Sequence, residues 1–127
     1  MKFTLDKKET HTTISLEEEN LNSLIAPDLK SEFVFLRNEG VRNLIFDMTE
    51  VKYVGSSGLS AILTANRLWS GYGAFILTGV KNPAVKKLIE ISKLNSILTI
   101  IPTMTESVEY VMMEKLQQEL TDDLNED

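Results

Sequence analysis

Apolar and polar positions change period several times along the chain, and each change marks an element. Phe3 to Leu5 and Thr12 to Leu16 are short β-type runs separated by the polar Asp6-Lys7-Lys8-Glu9, which predicts a small hairpin. From Pro27 the spacing becomes helical, with Leu29, Phe33 and Leu36 on one face, proline in the first turn and Gly40 as the stop. Asn43 to Asp47 is short and apolar in its middle, as in a strand covered on both faces. Residues 57 to 70 return to helical spacing with Leu59, Ile62, Leu63 and Trp69 inward, and Gly71-Tyr72-Gly73 closes that helix. Ala74 to Thr78 reads as a second buried strand. Asn82-Pro83 is an N-cap followed by a first-turn proline, opening a short helix with Val85, Leu88 and Ile89 inside. Ile97 to Ile101 is a third β-like run stopped by Pro102. Thr103-Met104-Thr105-Glu106 has the spacing of a capping box for a last helix, with Val108, Val111, Met112 and Leu116 expected inward. Beyond about Leu120 the acidic tail, residues 121–127, is too poor in apolar groups to offset the entropy of ordering and is expected to fray. Strands alternating with helices predict an α/β architecture, and the antiparallel hairpin makes its sheet mixed.

Composition narrows the function. The 127 residues suit one domain with a real core. Thirteen Lys+Arg against nineteen Asp+Glu give a net charge of −6, which disfavours a nucleic-acid partner. Lys81, Lys86, Lys87 and Lys93 read as a solubilising face. There is no cysteine, and the single histidine, His11, cannot build a multi-histidine metal cage, so neither a metal nor a cofactor is expected. The first residues lack the apolar run of a signal peptide, and no stretch of about 18 apolar residues occurs, so neither export by that route nor a membrane span is expected.

The stretch that carries candidate chemistry is Gly55-Ser56-Ser57-Gly58, between a predicted strand and a predicted helix. A nucleophile elbow needs G-x-S-x-G and a histidine base; this run is one residue shorter. Neither phosphate-loop pattern is present at this turn. Asp6, Glu9, Asp47 and Glu50 read as solvated carboxylates rather than an acid/base pair, so an enzyme is not predicted. Two uses of the hydroxyls stay open on residue chemistry: an N-cap, and a phosphoacceptor at a helix start, where the macrodipole accommodates a dianion.

The run from Leu44 to Leu59, LIFDMTEVKYVGSSGL, resembles the signature of STAS domains, the family of bacterial anti-sigma factor antagonists: an apolar strand ending in Asp, a hydrophobic turn, then D-S-[ST]-G-[LI]. Asn82 to Leu94 is similar to the family's helix and loop after its fourth strand, and Leu16 to Leu36 to its second strand and first long helix; the likeness spans about residues 3 to 115. It implies a single STAS-like domain over residues 1–120, with a mixed central sheet of four to five strands and about four α-helices. It also implies a non-enzymatic, cytoplasmic switch that binds an anti-sigma factor, often a serine kinase, and so frees a sigma factor. Phosphorylation of Ser56 would break the complex and a phosphatase would restore it, the protein being a monomer or weak dimer. Ser57 would share the first turn and help satisfy its amides. The docking face implied is Gly55, Ser56, Ser57 and Gly58 with the loop Glu17 to Ala26, in which Glu18, Asn20 and Asn22 stand. Gly55 replaces the family's aspartate, which bears on kinase recognition and supports an alternative: a constitutive STAS scaffold in a larger signalling or transport assembly.

Overall fold

Short apolar runs become strands and the amphipathic runs between them become helices, in a computed structural model that describes residues 1–124. The order is β1 (Phe3–Lys7), β2 (Thr12–Leu16), β3 (Asn20–Leu21), α1 (Ala26–Asn38), β4 (Leu44–Asp47), β5 (Tyr53–Val54), α2 (Ser56–Trp69), β6 (Phe75–Thr78), α3 (Pro83–Ile91), a 3-10 turn (Leu94–Ser96), β7 (Thr99–Ile101) and α4 (Met104–Leu124). Five strands form one sheet in the order β1-β2-β4-β6-β7. β1 is antiparallel to β2, and every other neighbouring pair is parallel. The α/β class, the mixed sheet and four helices therefore match the expectation.

β4 and β6 run through the middle and are buried on both faces, which explains their unbroken apolar sequences. One face carries Ile14, Leu44, Phe46 and Leu77 against Leu29, Phe33 and Leu36 of α1 and Ala61, Ile62, Ala65 and Trp69 of α2. Phe33 stands edge-on to Phe46 and Phe75 at 5.4 and 5.7 Å between ring centres. The Trp69 indole N–H donates to the Val41 carbonyl at 2.9 Å, so its one polar atom is satisfied in the interior. On the opposite face Ile45 and Ile76 meet Val111 of α4.

The predicted punctuation holds at several ends. Asn82 Oδ1 accepts from the Ala84 and Val85 amides at 2.9 and 3.3 Å. Thr103 Oγ1 accepts from the Glu106 amide at 3.2 Å. Gly40, at φ +92°, ends the α1 turn in the left-handed region.

Three details depart from the sequence reading. β7 starts at Thr99 rather than Ile97, because the chain first closes the 3-10 turn, with the Ile97 amide donating to the Leu94 carbonyl at 3.0 Å. Met112 and Leu116 do not pack inward: both are exposed, whereas Val111 is buried and Val108 half-buried. Strands of three or four residues span only about 10–13 Å, whereas a 21-residue helix is about 31 Å long, so the second half of α4 runs past the sheet it covers. That helix also continues to Leu124, so 121–124 are helical; the rest of the acidic tail, 125–127, lies outside the described residues.

Candidate functional site

The strand-to-helix turn at Gly55 is held by a second, two-stranded sheet in which β3 pairs in parallel with β5, Asn20 opposite Tyr53 and Leu21 opposite Val54. The Glu19 carbonyl accepts from the Lys52 and Tyr53 amides at 2.8 and 3.1 Å, and the Leu21 carbonyl accepts from the Gly55 amide at 2.9 Å. The Lys52 ammonium adds an ion pair to Glu19 at 3.1 Å. These bonds fix the loop after β2 beside the residue that precedes Ser56.

α2 begins one residue earlier than its spacing suggested. Gly55 is its N-cap at φ −87°, ψ 177°, and no side chain caps the first turn. The N-cap use of the serines is thus corrected: Ser56 and Ser57 are the first two helical residues, past the position from which a hydroxyl reaches the orphan amides, and Ser57 does not cap them. Ser56 is exposed at the rim, Ser57 half-buried. Gly55 is extended backbone that any residue adopts, and a Cβ there would make only ordinary contacts, with the Tyr53 hydroxyl at 3.5 Å, its ring at 3.7 Å and the Leu21 carbonyl oxygen at 3.9 Å, so an aspartate would fit. Gly58 is different. A Cβ on it would lie 2.7 Å from both the carbonyl oxygen and Cγ of Leu21. Only glycine lets α2 approach β3 this closely.

Of the residues singled out from sequence, the β3–β5 pair brings the start of the Gly55 to Gly58 turn beside the strand that holds Asn20. Asn22 Oδ1 accepts from the Leu24 amide at 3.0 Å and shapes the turn into α1. Glu18 points elsewhere, with Oε2 accepting from the Lys2 amide at 2.9 Å. Asp47 is committed locally: its Oδ1 accepts from the Thr49 amide and hydroxyl at 3.0 and 2.6 Å. Asp6 lies 3.7 Å from the Lys8 ammonium. Two exposed apolar side chains near this turn, Leu24 and Tyr53, were not singled out from sequence. Tyr53 carried a signal, an aromatic two residues before Gly55 in a β-type run; Leu24, in a polar loop, carried none.

An exposed hydroxyl at an uncapped helix start suits reversible attachment of an anion, and the rigid strand pair beside it suits recognition by another protein. Among the described residues no helix is long and apolar enough to cross a membrane.

Known proteins share this family and fold. The STAS domain profile matches residues 2–107. BtrV of Bordetella bronchiseptica, a candidate anti-sigma factor antagonist, is 31% identical over 101 residues, covering 79% of this chain and 85% of BtrV. An anti-sigma factor antagonist from Mycobacterium paratuberculosis superimposes with a TM-score of 0.80 at 17% identity, over 87% of this chain and 93% of that one. The anti-sigma factor antagonist SpoIIAA superimposes at 20% identity in its unphosphorylated form (TM-score 0.72, 87% of this chain and 96% of that one). The phosphorylated form of the Bacillus protein does so at the same identity (TM-score 0.66, 87% and 99%). With the profile spanning most of the sequence and the fold shared throughout, the chain belongs to the STAS domain family.

Proposed function

We propose that this protein is an anti-sigma factor antagonist, controlled by phosphorylation at Ser56. In this reading it acts in the cytoplasm without catalysis of its own. Unphosphorylated, it grips an anti-sigma factor that is also a serine kinase, using the start of α2 and the Asn20 to Asn22 segment, and the sigma factor is released. A phosphatase resets the cycle.

The observation that carries the reading is the exposed hydroxyl of Ser56 at a helix start with no side-chain cap. A phosphate there adds about −1.5 to −2 charges beside the positive end of the helix dipole. A partner seated over the same turn has to accommodate a bulky dianion, and the surface it grips is spoiled without unfolding the domain. Gly55 in place of a carboxylate removes one source of repulsion against that phosphate, so the modified state is not penalised from position 55.

The test is incubation of the full chain with candidate serine kinases and ATP, followed by intact mass measurement. A gain of one phosphoryl group, absent from Ser56→Ala, is expected. A gain retained by Ser56→Ala, or no gain with a kinase that binds the chain, would count against the switch and favour a constitutive scaffold.

A further inference from the structure

The second half of α4 carries an exposed apolar face that the proposed switch at Ser56 does not use. From Met112 onward every described residue of α4 is exposed, yet five of them are large and apolar: Met112 (47%), Met113 (63%), Leu116 (50%), Leu120 (54%) and Leu124 (86%). At about 100° per residue these five fall within one arc of roughly 120°, nearly opposite the direction of Ser107 and Val111, which face the sheet. Met112, at one edge of the stripe, still borders a groove with Thr13, Ser15 and Val108, and the other four point away from the body.

Charge says what covers it. Between Glu109 and Leu124 stand Glu109, Glu114, Glu119, Asp122 and Asp123 against the single cation Lys115. On the same wheel Glu109 and Asp123 lie within the stripe and Glu119 at its edge, whereas Lys115 turns toward the body, where it lines a groove with Asn66 and Trp69 of α2. A second copy docked on the stripe would oppose Glu109, Asp123 and Glu119 to the same three carboxylates with no cation between them, and an anionic lipid surface would be repelled in the same way. A helix with an apolar face and cationic flanks is complementary on both counts.

We infer that residues 109–124 bind a basic amphipathic helix of another protein, at a site separate from the Ser56 face. The neighbouring groove lies at the C-terminal end of α2, whose 14 residues put it about 20 Å from Ser56. Both partners can be held at once, and phosphorylation of Ser56 leaves this second contact intact.

The probe is a labelled synthetic helix of about 18 residues with a leucine face and lysine and arginine flanks, compared by fluorescence anisotropy with the same helix carrying glutamate flanks. The full chain is expected to bind the basic helix at least about tenfold more tightly than the acidic one, and less tightly as salt rises. The double variant Leu116→Gln/Leu120→Gln should weaken binding about tenfold or more, with circular dichroism and thermal midpoint unchanged because neither side chain is in the core. Glu109→Lys/Asp123→Lys should reverse the preference between the two helices, and Ser56→Asp should leave it as it was. Equal binding of both helices, or full binding by the double leucine variant, overturns the inference. So does a dimer in sedimentation equilibrium, or attachment to anionic vesicles, that the double leucine variant abolishes.

Discussion

Substituting alanine for Gly58 tests the packing of α2 against β3 that positions the proposed docking face. The added Cβ would sit 2.7 Å from the Leu21 carbonyl oxygen and Cγ and 3.1 Å from a Val54 methyl. The leucine side chain can rotate, but the carbonyl is backbone, tied to the Gly55 amide at 2.9 Å and part of the β3–β5 pair. Relief therefore requires β3 to move away from α2. Overpacking of this kind costs about 1–3 kcal/mol, and replacing a helical glycine by alanine returns at most about 1 kcal/mol, less in a first turn. The net expectation is a loss of about 1–2 kcal/mol, or about 3–5 °C in thermal midpoint per kcal/mol for a chain of this size. Urea denaturation with a common slope measures it. Gly55→Asp is the companion, because its site has room: it should equal the native chain or exceed it by a few tenths of a kcal/mol through capping. Gly58→Ala at native stability would refute the close-approach reasoning.

Asn82→Ala removes the oxygen that caps α3 and should cost about 1 kcal/mol in the same assay. Phe33→Ala empties the centre of the aromatic cluster against Phe46, Phe75 and Trp69 and should cost about 3–5 kcal/mol, enough to threaten folding at growth temperature. Ser56→Asp should leave the thermal midpoint within about 1 °C of native, since the side chain is exposed and a first-turn carboxylate interacts favourably with the dipole.

Much of the architecture was legible because each element carried a strong periodic signal and a chemical stop. The apolar cores of β4 and β6, the Asn82-Pro83 cap and the Thr103 to Glu106 box all lie where spacing put them. β3 and its pairing with β5 were not legible: two residues are too few to show a period, and the pairing depends on Glu19 and Leu21 carbonyls that no side-chain pattern reports. Met112 and Leu116 misled for a related reason. A stripe of apolar residues says that a face wants cover, while the length of the neighbouring strands decides whether this chain supplies it. At the site, glycines and serines marked a turn, but which residue became the cap was set by Gly55 bonding to Leu21, a tertiary contact.

The most direct measurement is calorimetric titration of the cognate anti-sigma factor with three forms of the protein. Native chain and Ser56→Ala should bind alike, and Ser56→Asp at least about a hundredfold more weakly with its fold intact. Equal affinity in all three, or no binding by the native chain, would contradict control at Ser56.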